Sequence, residues 1–180
     1  MPGDIHPKDI LTKSYKALAI QAAVMASTSE VFRKELIELA LKNEMPYSSR
    51  AAWAMLSLAE QHPDLVTPYT RSILNKLGDI QNHTQISSLL RLFLALDHDL
   101  DESGQLLDFC FHMIRVPLER EYSRALAMDI MLRFALTYPE LTSEIIEQIE
   151  DARPQFKARH AKRKAKQVLE QLNKMQEQSR

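Results

Sequence analysis

Glycine is nearly missing, with three in 180 residues against about 7% in ordinary proteins. Phosphate-cradling loops and tight β-hairpins need residues free to take positive φ, so both are disfavoured and helix is favoured. Cysteine is reduced to Cys110, which excludes an intrachain disulfide and suits a reducing compartment. Its setting in "LLDFCFHMI" is that of a small buried hydrophobe. No window holds the ~18 continuous apolar residues of a membrane helix. The run "KALAIQAAVMAS" is interrupted by Gln21, and Asp4 and Asp9 interrupt the basic residues ahead of it, against the pattern of a signal peptide. The expected location is therefore cytoplasmic. The six histidines stand singly at positions 6, 62, 83, 98, 112 and 160, and no Cys-x-x-Cys, Gly-x-Ser-x-Gly or phosphate loop occurs. The expectation is a non-enzymatic chain with no cofactor and no metal site.

What is present is a helical period throughout. Residues three and four apart share a helix face, whereas residues two apart share a strand face. Leu11, Tyr15, Leu18, Ala22 and Met25 step four, three, four, three and predict a helix with one narrow inner stripe. Ser27 with Glu30 predicts a capping box for the next, which carries Phe32, Leu36 and Leu39 inward. Ala52, Leu56 and Ala59 line a third; Pro63 opens a fourth with Val66, Tyr69, Ile73 and Leu77, closed at Gly78. Asn82 with Gln85 predicts a cap for a helix bearing Ile86, Leu89, Leu90, Phe93 and Leu96. A turn over Asp97 to Ser103 leads to Leu106, Cys110 and Met113, ending at Pro117. Ala127, Ile130 and Phe134, then Ile145 and Ile149, mark one more couple. Ala161, Ala165, Val168, Leu172 and Met175 mark a last narrow-striped helix after Pro154.

One phrase occurs twice. Ser49-Arg50-Ala51 and Pro63-Asp64-Leu65 return as Ser123-Arg124-Ala125 and Pro139-Glu140-Leu141. The arginines lie 74 residues apart and the prolines 76, with one further couple between, so each unit is near the period of about 40 of stacked helical arrays. A single all-α domain over 1–180 is predicted, an α-α superhelix of antiparallel pairs near 8–43, 48–78, 82–116 and 120–151 with a final helix over 154–175.

The stretch "SSRAAWAMLSLAEQHPDLVTPYTRSILNKL" resembles HEAT-like repeats, and the helices ending in "FKARHAKRKAKQVLEQL" are similar to a group of small bacterial HEAT-like proteins. Some of that group are labelled adenylosuccinate lyase by transfer. The lyase's mobile loop, Ser-Ser-x-Met-Pro-x-Lys, has no counterpart here, since "EMPYSSR" does not match it. The resemblance implies a HEAT/armadillo-like solenoid that serves as an interaction scaffold, with no reaction attached.

Four arginines recur, Arg50, Arg91, Arg124 and Arg159. Stacking could align them as a binding column for carboxylates or phosphates, or bind each to an acid of the neighbouring repeat. Trp53 lies one turn beyond Arg50, as partner anchor or core residue. From Ala152 to Leu169 the chain holds Arg153, Lys157, Arg159, Lys162, Arg163, Lys164 and Lys166 and no acid, plus seven within a net charge of −1. Such asymmetry points to an anionic partner or to a solvated face answering the acidic remainder. Asp97, Asp99, Asp101 and Asp108 have the spacing of a calcium loop, but Glu102 stands where that loop needs glycine. The expected function is a protein or peptide interaction module using Arg50, Trp53, Arg91 and Arg124. The alternative is a nucleic-acid binder of the HEAT-like DNA glycosylase type, using the basic C-terminal helix. A homodimer through terminal apolar stripes is compatible with both.

Overall fold

Helix ends leave unpaired N–H and C=O groups, and the side chains of His6, Ser29 and Asn82 accept from such N–H groups at helix starts. The computed structural model describes residues 5–96, 104–116 and 121–178. The expected turn at Asp97 to Ser103, with Asp97, Asp99 and Asp101, and the expected stop at Pro117 lie outside the described residues. All regular structure in the described residues is helical. The chain forms two compact units, Met1–His98 and Asp99–Arg180. The helices expected as the third couple fall on either side of that division.

The first unit comprises α1 (Pro7–Ile10), α2 (Lys16–Thr28), α3 (Glu30–Ala40), α4 (Tyr47–Gln61), α5 (Pro63–Val66), a 3-10 turn (Thr67–Tyr69), α6 (Thr70–Leu77) and α7 (His83–Ala95). Helix α4 is its centre, with α2, α3 and α7 packed around it. Nine of its side chains are buried, among them Ala51, Ala52, Met55, Leu56 and Leu58, because it meets neighbours on several sides. Full burial of one such leucine or methionine is worth about 1.5–3 kcal/mol.

Directions follow from the polar ties. Arg50, in the first turn of α4, reaches the carbonyls just ahead of α2. Gln85, in the first turn of α7, donates to the carbonyls of Ala40 (2.8 Å) and Lys42 (2.7 Å), just ahead of α4. Hence α2, α4 and α7 run the same way, and α3 returns between α2 and α4. The Gln81 N–H donates to Asn43 Oδ1 at 3.1 Å, and Asn82 Oδ1 accepts from the Gln85 N–H at 3.0 Å as the expected cap.

The second unit comprises α8 (Gly104–Arg115), α9 (Tyr122–Thr137), a 3-10 turn (Pro139–Leu141), α10 (Thr142–Ala152), a 3-10 turn (Arg153–Gln155) and α11 (Arg159–Gln178). Helix α9 takes the central place that α4 has in the first unit, with ten buried side chains. Lys164 of α11 pairs with Asp129 of α9 at 2.8 Å, and Gln176 at the end of α11 bonds Ser143 at the start of α10. So α11 runs with α9 and against α10. The two copies of the phrase thus hold equivalent places, α4 to α7 as α9 to α11.

Three local expectations are corrected. Tyr15 is not on the inner stripe of α2; it precedes the helix and is 60% exposed. The buried face is Ala19, Ala22, Ala23 and Ala26, with Leu18 and Met25 half-buried, because α2 packs on alanine-rich α4 and small side chains allow the closest approach. The cap of α3 is Ser29 rather than Ser27. Ser29 has extended backbone and accepts from the Phe32 N–H, whereas Ser27 is inside α2 and donates to the Val24 carbonyl. The last helix starts at Arg159, five residues after Pro154, which sits in the 3-10 turn.

Candidate functional site

The two repeated arginines stand near the starts of equivalent helices, fourth in α4 and third in α9, and differ in surroundings. Arg50 donates from Nη1 to the carbonyl oxygens of Leu11 (2.9 Å) and Thr12 (2.6 Å), with its guanidinium 6.0 Å from the Tyr47 ring. The same ring lies near Lys8, whose ammonium is bonded to Glu44. That bond outweighs the opposing effect of desolvation and holds the Glu44 carboxyl below its usual range. Arg50 therefore ties the approach to α2 onto α4 and is half-buried.

Arg124 is 2% exposed. Its Nη1 donates to Glu121 at 2.7 Å and its Nη2 to the Val116 carbonyl at 2.6 Å, beyond the end of α8. Its guanidinium lies 5.0 Å from the ring of buried Phe156. Glu121, 5% exposed, also accepts the backbone N–H groups of Lys157 (2.9 Å) and Ala158 (2.8 Å), which lead into α11. Burial pushes this carboxyl up, but the two N–H groups and the Arg124 cation outweigh it and hold the acid below its ordinary range. In the first unit Asn43 does the corresponding work by accepting from Gln81 just ahead of α7.

Of the two readings of the arginines, an aligned column or separate pairing, the first unit shows separate engagement of Arg50 and Arg91. Arg91 stands 3.6 Å from Glu60, at the far end of α4 from Arg50, about 15 Å along the axis. Trp53 is half-buried on α4. In the second unit Arg159 is on the surface while Arg124 is inside. Glu121 was missed by sequence reasoning; its signal is the spacing of three from Arg124, which places the two on one helix face. Tyr47 stands at the same spacing before Arg50.

The basic stretch resolves into distinct roles. Lys164 is turned to Asp129, and Lys166 stands 3.8 Å from Glu170. Arg159, Lys162, Arg163 and Lys166 are exposed and fall at steps of three, one and three, so they share the outward face of α11. Arg153 and Lys157 are exposed just ahead of it. The described ion pairs do not engage Arg159, Lys162 or Arg163. Opposite that face, Ala161, Ala165, Val168, Leu169 and Leu172 are buried. At the N-terminal end, the rings of Tyr122 and His160 lie 6.2 Å apart. On α10 the outward residues are acidic: Glu144, Glu147, Glu150 and Asp151 are exposed.

Cys110 is fully buried and apolar surroundings push its thiol well up, the reverse of what a nucleophile needs. Among the described residues no three His, Cys, Asp or Glu side chains gather as a metal site, and no helix is long and apolar enough to cross a membrane. Of the calcium-spaced aspartates only Asp108 is described, exposed on α8. Compared with known proteins, residues 8–172 match the family model described as a HEAT repeat domain. No curated protein and no solved structure matches the chain.

Proposed function

The chain belongs to the HEAT repeat domain family, and from that premise we propose that it is a cytoplasmic, non-enzymatic scaffold binding an acidic segment of a partner protein. Families of HEAT repeats are generally non-enzymatic and commonly mediate protein interactions. The observation that carries the reading is the outward strip Arg159, Lys162, Arg163 and Lys166, which the packing of the second unit leaves to solvent.

Arginine and lysine heads spaced over two turns of one helix face offer several charged donors to carboxylates at once. Two features favour a peptide over nucleic acid. Phe156, the aromatic within the basic stretch, is buried under Arg124 and cannot stack on a base. The acidic outward face of α10, in the same unit, repels a phosphate backbone that extends beyond the strip.

The test is a fluorescence-anisotropy titration with a labelled oligoglutamate peptide and, in parallel, a labelled DNA duplex. The expected result is peptide binding that weakens with salt and is lost in the variant Lys162→Glu/Arg163→Glu/Lys166→Glu, with weaker binding of the duplex. Tighter binding of the duplex, or indifference of the peptide to the triple change, overturns the proposal.

A further inference from the structure

Helix α11 starts against its own electrostatics. Arg159, Lys162 and Arg163 stand within its first five residues, and its first turn holds no acid. Cations at that end oppose the helix dipole, and cations three or four apart on one face repel one another. The described ion pairs give none of the three a counter-ion. What keeps them in line has to come from outside the helix.

It comes from the residues that open α9. Glu121 accepts the Lys157 and Ala158 N–H groups at 2.9 and 2.8 Å, so the two amides that lead into α11 are fixed by a carboxylate on another element. The Arg124 guanidinium lies 5.0 Å from the Phe156 ring, and the Tyr122 ring 6.2 Å from that of His160. The approach to α11 and its first turn are thus held from Phe156 to His160. Glu121 is 5% exposed and Arg124 2%, so water does not compete for these bonds.

We propose that Glu121 is the positioning residue of the basic strip. By pinning Lys157 and Ala158 it keeps the first two turns of α11 wound, and with them Arg159, Lys162 and Arg163 aligned with Lys166 for an acidic segment. The binding part of this inference rests on the scaffold reading above; the pinning rests on the geometry alone. With Glu121 released, repulsion among the three cations unwinds the start of the helix and disperses them. A bound acidic segment offsets the same repulsion, so binding and pinning favour one another.

The experiment combines oligoglutamate binding by fluorescence anisotropy with amide hydrogen exchange of the full chain, below the melting transition of every variant. Glu121→Ala is expected to weaken the peptide about tenfold or more, the factor by which the aligned fraction falls. Exchange should quicken over Arg159 to Lys166 more than in α10. Glu121→Gln, which keeps one accepting oxygen, should fall between Glu121→Ala and wild type. Glu121→Ala/Arg124→Met strands no buried charge and should behave as Glu121→Ala does, which decides the matter where the single variant does not fold. Arg50→Ala, a destabilising change in the other unit, should leave peptide affinity within about twofold. In wild type, saturating peptide should slow exchange of the Lys157 and Ala158 amides. Equal peptide affinity in wild type and the folded Glu121 variants, an equal loss in Arg50→Ala, or exchange that quickens in α10 as much as in α11 overturns the proposal. A wild type that binds no oligoglutamate overturns the scaffold reading instead, and the exchange pattern of the free chain then decides the pinning by itself.

Discussion

Glu121 and Arg124 form a buried ion pair of 2.7 Å that fastens three elements of the second unit at once. The carboxylate holds the approach to α11 through the Lys157 and Ala158 N–H groups, and the guanidinium holds the end of α8 through the Val116 carbonyl. Three backbone partners outside the pair make this arrangement costly to break on one side only.

Either Glu121→Gln or Arg124→Ala leaves a buried charge short of its counter-ion, and each is expected to cost about 3–5 kcal/mol of unfolding free energy. The double variant should cost less than the sum, since no charge is then stranded. Urea denaturation of the four proteins measures both quantities, and strict additivity would rule out the coupling.

Acid should weaken the wild type through the same group. The folded carboxyl of Glu121 lies below its ordinary range, so as pH falls the unfolded chain takes the proton first and stability declines. The contribution is full above the ordinary carboxylate range and is gone once the folded carboxyl is itself protonated. Melting temperature against pH should therefore be steeper below about pH 5 for wild type than for Glu121→Gln; equal slopes would contradict it.

The Cys110 thiol, buried and raised, should resist a thiol-specific reagent such as Ellman's reagent in native buffer and react in full in denaturant. Rapid labelling of the native protein at neutral pH would show that α8 opens more readily than its packing implies.

Arg50→Ala should cost about 1.5–3 kcal/mol, the scale of hydrogen bonds from a charged donor, with Arg50→Lys recovering part of it. Because the lost bonds end on Leu11 and Thr12, amide exchange should quicken there and in the first turn of α2 more than in α7. Uniform quickening across the first unit would argue against so local a tie.

The inward residues of α9 and α11 were legible because Ala127, Ile130 and Phe134, and Ala161, Ala165, Val168 and Leu172, follow the helical period and are buried, with Met175 at the end of the expected stripe half-buried. The Asn82 cap was legible because its bond is local. The inner face of α2 was misread: alanine is compatible with inside and outside alike, so the larger Tyr15, Leu18 and Met25 drew the stripe towards themselves. The burial of Arg124 was not legible for a related reason. A charge enters the interior only when partners await it, and those partners come from the end of α8 and the approach to α11.

The amino-acid order by itself determined the helices, their joints at Pro63 and Pro139, and the twofold writing of one phrase, since period, proline chemistry and local caps act between residues close along the chain. Only the tertiary structure decided that one repeated arginine is spent on backbone carbonyls and the other on a buried glutamate, that α2 keeps an uncharged flank open, and that Arg159, Lys162, Arg163 and Lys166 face outward. Those outcomes depend on which surfaces distant helices present to one another, and that is fixed by packing in space rather than by spacing along the sequence.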